Sequence, residues 1–256
     1  MTTTEEPTEL AGGQMSLIEH LNELRNRLIK CTLAVVFGAL IVWILYNPVL
    51  EFLKAPLEDA CGAEKCELIL TDPLQGLSTR IKVAGYGGIM LATPVILWQI
   101  WKFIMPGLYP KERRLAAPFV VSGVLLFATG ASLAYWTLPR ALDFLIAIGG
   151  GDAGVEAMFT PDKYIQLITY MMLAFGAGFE FPIILVFLQL AGVLSWKRLS
   201  SWRRYAIIAI VVLVAVITPS GDPISLAALS VPMYIFYETS ILIGRVITRR
   251  RAAAEA

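Results

Sequence analysis

YIQLITYMMLAFGAGFEFPIILVFLQLA, residues 164–191, decides the fold of this chain. As a helix rising 1.5 Å per residue it spans about 42 Å, more than a hydrocarbon core about 30 Å thick requires. Its one charged residue is Glu180. An acid at membrane depth costs about 2.5–3.5 kcal/mol on insertion scales, so the carboxylate must face protein or water and not lipid. Gly176 and Gly178 beside it permit a close helix approach, while Pro182 removes a backbone donor and bends the helix around the acid. The segment reads as a membrane span carrying a docking notch.

Working outward, further apolar runs lie at about 29–47, 83–105, 116–138, 205–217 and 224–244. Six spans account for about half of the 256 residues and leave room for loops but not for a second folded domain. Composition agrees: 57% of residues are hydrophobic and mean hydropathy is +0.69, with 16% charged where a soluble domain carries about a quarter. That excludes disorder and argues against a soluble enzyme. A formal charge of +1 gives no polyelectrolyte character for nucleic acid.

The expectation is one all-α polytopic membrane domain: a tail over 1–15, a cytoplasmic amphipathic helix over 16–28, a six-span bundle over 29–244 and a basic tail over 245–256. Pro94, Pro118, Pro182 and Pro232 lie in different spans and should kink the bundle. The last two spans should be short. Tyr205–Ile217 offers only 13 residues before Thr218-Pro219-Ser220-Gly221-Asp222-Pro223, a tight turn that makes spans five and six antiparallel neighbours. The polar N-terminus, Met1 to Glu9, reads as no cleavable signal peptide, so the first span should direct its own insertion.

Charge placement orients the bundle. Arg25, Arg27, Lys30, Lys102, Lys111, Arg113, Arg114, Lys197, Arg198, Arg203, Arg204, Arg245, Arg249, Arg250 and Arg251 all fall on one set of connections, 15 of the 21 Lys and Arg. By the positive-inside rule that side and both termini are cytoplasmic. The outer connections, about 48–82 and 139–163, contain apolar stretches, Pro48–Leu53 and Ala141–Ile148, that should form short interfacial helices. Cys61 and Cys66 sit in the first of them, where a disulfide between them is possible; Cys31 reads as core packing. Tryptophans 98, 101, 136, 196 and 202 match an interfacial belt.

Candidate chemistry is confined to acids. One histidine and three cysteines are too few for a structural zinc site or a thiol–imidazole enzyme, and no G-x-x-x-x-G-K-[ST] loop is present, so no metal, cofactor or catalytic site is expected. Leu17, Leu21, Leu24 and Leu28 recur at helical spacing after a Ser16/Glu19 capping box, with Glu23 on the polar side, in register for an i,i+4 pair with Arg27. Glu112 is the lone acid in a basic, proline-fixed loop, 103–114. Either carboxylate can take a guanidinium in bidentate fashion, which an ammonium cannot copy. Glu238 reads as polar glue between helices, and Asp222 as a turn residue bonding its local backbone.

These segments together resemble the TatC family, the receptor component of the twin-arginine protein translocase. The resemblance rests on His20-Leu-x-Glu23-Leu-Arg25-x-Arg27-Leu28, Pro94-x-x-x-x-Gln99-x-Trp101-x-Phe103, Pro106-Gly-Leu-Tyr109-x-x-Glu112-Arg113, Phe175-Gly-x-x-Phe-Glu180-x-Pro182, and Thr218-Pro219 through Asp222 with Pro232 and Glu238. It implies a glove-shaped six-span bundle in the cell's inner membrane that binds twin-arginine signal peptides of folded cargo. It further implies TatA- and TatB-type single-span partners, several copies per complex, and export driven by the proton-motive force. Residue by residue, it assigns Glu23 and Glu112 to the arginine pair, with Arg25, Phe103, Pro106 and Tyr109 shaping that site. Glu180, with Gly176 and Pro182, is assigned to docking a partner helix, and Pro56 and Asp222 to the outer cap. The alternative is a proton- or ion-coupled secondary transporter titrating at Glu180, for which no internal three-plus-three repeat is found. An intramembrane protease lacks its residues, since His20 precedes the first span.

Overall fold

The computed structural model describes residues 17–61, 68–104, 116–149, 159–218 and 221–255. Among these the chain forms helices α1 (Leu17–Ile44), α2 (Tyr46–Cys61), α3 (Gln75–Ile104), α4 (Ala116–Ile148), α5 (Pro161–Phe179), α6 (Phe181–Leu190), α7 (Trp196–Ser201), α8 (Arg203–Ile217) and α9 (Pro223–Glu255). Five stretches are long and apolar enough to cross a membrane: Ile18–Ile44, Gln75–Phe103, Ala117–Ile148, Pro161–Leu190 and Pro223–Arg249. The remaining expected span is α8, whose 15 residues cover about 22 Å. The bundle is all-helical, as its apolar runs require.

Contacts at both ends set the helix directions. Arg80, early in α3, donates to the Trp43 carbonyl at the end of α1, at 3.1 Å, while His20 at the start of α1 stacks on Phe103 at the end of α3, ring centroids 4.5 Å apart. The two helices are antiparallel and touch through backbone. A Cβ built on Gly88 would lie 2.6 Å from the Ala39 nitrogen, so any side chain there would force them apart. A second such seam joins α4 to α5, where a Cβ on Gly130 would meet the Phe175 carbonyl oxygen at 2.5 Å. Small residues at helix crossings are how apolar helices gain close packing where lipid supplies no hydrophobic drive between them.

The core is built around α5. Ile165, Ile168, Met171 and Phe175 are fully buried on it, against Leu57 of α2, Leu138 and Leu142 of α4, and Leu229 and Met233 of α9. By contrast α1 exposes Leu33, Val36, Phe37 and Leu40, the outward face expected of a lipid-facing helix.

Four expectations change. The 16–28 helix and the first span are not separate elements: α1 is one rod, because nothing between Leu17 and Phe37 is Gly or Pro. Ala141–Ile148 is no separate interfacial helix but the end of α4, which continues through Pro139 because Leu138, Ala141 and Leu142 form one buried face across it. Of the last two spans only α8 is short, since α9 runs 33 residues into a Arg- and Ala-rich segment of high helix propensity. Trp101 is buried, stacked on Phe119 at 4.6 Å and edge-on to Phe187, and belongs to no interfacial belt.

The cap is tied down where its own proline breaks it. Pro56 within α2 has no N–H for the Phe52 carbonyl. Tyr135 of α4 donates its hydroxyl to that carbonyl at 2.9 Å, and Tyr164 of α5 donates to the next one, Leu53, at 2.7 Å. Asp222 is buried and accepts the Ser225 amide at 2.6 Å, capping α9 beside Gly221, whose φ of 60° suits glycine. Gln75, Lys82 and Asp162 complete the cap, with Lys82 3.4 Å from the Asp162 carboxylate and Gln75 donating to it at 2.5 Å. Cys66 lies outside the described residues, as does the side chain of Cys61, so the disulfide expectation finds no geometry here.

Candidate functional site

The polar stripe of α1 and the end of α3 enclose an open cleft of about 500 Å³, lined by Glu19, Asn22, Glu23, Asn26, Arg27, Lys30, Gln99 and Lys102. On α1 these positions step by three and four residues, so they share one helix face, with the exposed leucines 21, 24 and 28 turned elsewhere. The cleft sits at the bundle end where Arg25, Lys30, Lys102, Lys197, Arg198, Arg204 and Arg249 gather.

Its centre is Glu23. Arg27 donates to Glu23 Oε1 from Nε at 3.1 Å and from Nη2 as well, forming the expected i,i+4 pair. The same guanidinium crosses to α3, with Nη1 donating to Gln99 Oε1 at 3.4 Å and Nη2 to the Lys102 carbonyl at 3.1 Å. Glu23 Oε2 is buried and has no partner among the described residues. One oxygen of the carboxylate is used and the other is not.

The residues assigned with Glu23 divide into three groups. Phe103 is brought to the cleft's rim by its stack on His20. Arg25 is exposed and, two residues from both Glu23 and Arg27, points about 200° away from them around α1. Pro106, Tyr109 and Glu112 lie outside the described residues, as does Ser16 of the capping box. Arg27, Gln99 and Lys102 were not singled out as site residues by sequence reading. The signal was present for α1, in the polar positions 19, 22, 23, 26, 27 and 30.

Two acids inside the spans contrast with each other. Glu238 of α9 receives Arg203 Nε at 2.7 Å and Nη2 at 2.9 Å on its two oxygens, and the Tyr234 hydroxyl at 3.1 Å. It is the helix glue the sequence suggested, clasping α8 to α9. Glu180 sits at the break between α5 and α6. Its Oε2 lies against Gly123 of α4, 3.1 Å from where a Cβ would be, and its Oε1 is buried with no partner among the described residues. Gly123 supplies the space that the carboxylate fills.

The expected notch around Glu180 is partly filled by the chain itself. The Phe127 ring of α4 occupies the space beside Gly176, 2.6 Å from a Cβ built there, and Pro182 is buried with its carbonyl accepting Ser240 Oγ at 3.4 Å. Only Ala177, next to Glu180, is exposed on this turn. No cluster of three or more His, Cys, Asp or Glu that could hold a metal occurs among the described residues.

The sequence model of the family described as Sec-independent protein translocase protein (TatC) matches residues 19–232. The chain is 38% identical over 238 residues to the Sec-independent protein translocase protein TatC of Aquifex aeolicus, which covers 93% of this chain and 98% of that protein. It is 37% identical over 250 residues to that of Frankia casuarinae, 94% of this chain and 68% of that one. A crystal structure of the twin-arginine translocase receptor TatC superposes with a TM-score of 0.75 at 38% identity, over 90% of this chain and all of that one.

Proposed function

This chain belongs to the TatC family of Sec-independent protein translocase proteins, and from that premise we propose that it is the receptor and assembly platform of a twin-arginine translocase. It takes the twin-arginine signal peptides of folded cargo at the basic, cytoplasmic end and recruits TatA- and TatB-type single-span partners for export driven by the proton-motive force. Both termini are then cytoplasmic, α8 is the sixth span of a multi-pass protein of the inner membrane, and several copies work in one complex. Membership of a translocase family takes away the case for a solute transporter.

The observation that carries this reading is the half-used carboxylate of Glu23 in an open cleft at the basic end. A buried acceptor without a donor costs about 1–3 kcal/mol, which an incoming guanidinium recovers. Glu112 is the second acid, for the second arginine, and Pro106 and Tyr109 help shape that site. Glu180 offers the same kind of unused oxygen at membrane depth, suited to a polar side chain on a partner's single helix. Pro56 and Asp222 hold the opposite cap.

Binding of a synthetic twin-arginine signal peptide and of its twin-lysine counterpart, to the full chain in nanodiscs, tests the proposal. Strong preference for arginine, lost in Glu23→Gln and Glu112→Gln, is expected. Equal binding of the two peptides contradicts it.

A further inference from the structure

The acceptors on the facing sides of α1 and α3 form one guanidinium-shaped site, and it is already filled. Glu23 Oε1, Gln99 Oε1 and the Lys102 carbonyl all receive the Arg27 guanidinium, through Nε, Nη1 and Nη2. Such saturation exceeds what an i,i+4 pair on a solvated helix face needs. Two of the acceptors belong to another helix, 72 and 75 residues away in the chain.

We infer that Arg27 is an internal stand-in for the ligand's arginine: it occupies the receptor's guanidinium site, and a signal peptide binds by displacing it from Glu23. The inference rests on the receptor reading above. A carboxylate has two oxygens, and the one left over, Oε2, is buried. An arginine that seeks both oxygens of Glu23 must therefore move Arg27, whereas Arg27 in place leaves one acceptor and no room for a bidentate fork. Arg27 loses its three partners in that exchange, and the apparent affinity is lowered by the fraction of receptors in which it is still seated. Because Oε2 is buried, an ammonium must move Arg27 as well, and it recovers less, since it cannot form the fork.

The test uses the same synthetic peptides and the full chain in nanodiscs, comparing the wild type with Arg27→Gln. Glutamine leaves Glu23 without its internal cation. Removing the competitor should tighten the twin-arginine peptide by about fivefold, the scale of a partly exposed ion pair, and leave the arginine-to-lysine ratio unchanged. Weakening to the level of Glu23→Gln overturns the inference, because Arg27 would then position Glu23 and not mimic the ligand. No change in affinity overturns it as well. If the wild type itself shows no preference for arginine, the receptor reading fails and takes this one with it, a result distinct from the other two. Should Arg27→Gln not fold, the Nε–H signal of Arg27 in ¹⁵N-labelled wild type decides: saturating twin-arginine peptide should move it to the position of a solvent-exposed arginine. A signal that stays put overturns displacement.

Discussion

Glu180 and Glu238 are the same residue type, each inside an apolar span, and the structure treats them oppositely. Glu238 has both oxygens engaged by Arg203 and a third bond from Tyr234, whereas Glu180 keeps a buried oxygen with no partner among the described residues. The first carboxylate is consumed in joining α8 to α9. The second is held in place by Gly123 and left unbonded. An acid in a membrane is expensive whichever way it is used, so bonding, and not burial, separates architecture from a site. Glu23 stands between them, with one oxygen engaged and one not.

Charge reversal at the intermediate case should have the largest effect. Glu23→Arg should weaken twin-arginine peptide binding by about a hundredfold, roughly 2.7 kcal/mol, with thermal unfolding of the purified chain little changed. A parallel loss of fold would move Glu23 to the side of Glu238. Next comes the clasp itself: Arg203→Ala leaves the Glu238 carboxylate with only Tyr234 and should lower the midpoint of denaturant unfolding, modestly because both side chains are partly exposed. An unchanged midpoint would show that α8 is held without it. Tyr135→Phe removes the hydroxyl that repairs the break at Pro56 and should cost about 1 kcal/mol, with faster hydrogen exchange confined to α2.

The division between bonded and unbonded acids is only partly written in the sequence. Glu180 was visible because it is the only charge in 164–191, and the apolar runs were visible as spans, but not their limits, since α4 continues past Pro139 and Arg140 and α1 begins ahead of Arg25, Arg27 and Lys30. Glu238 was legible as glue, but not its partner, since Arg203 lies 35 residues away across the hairpin. Arg27 was read as a local pair with Glu23; its bonds to Gln99 and Lys102 depend on α1 meeting α3 through Gly88 and Ala39, a register that no periodicity reports. The burial of Trp101 escaped for a related reason. A tryptophan near a span end suits an interfacial belt and a packed core equally, and only Phe119 and Phe187, from α4 and α6, decide. Gly176 was legible as a place of close helix approach, but not which neighbour makes it, and it is the Phe127 ring of α4 that packs there.

The smallest expected effect on stability belongs to Glu180. Glu180→Gln should shift the unfolding midpoint by no more than about 0.5 kcal/mol, because no bond among the described residues is lost.

That variant also gives the most direct test. Glu180→Gln and Glu238→Gln, expressed side by side with TatA- and TatB-type partners, should be scored for unfolding and for partners retained through purification. Glu180→Gln should keep its stability and lose partners, while Glu238→Gln should lose about 1 kcal/mol of stability and keep them. The reverse pattern, or equal losses in both, would contradict the claim that an unbonded oxygen marks the working acid.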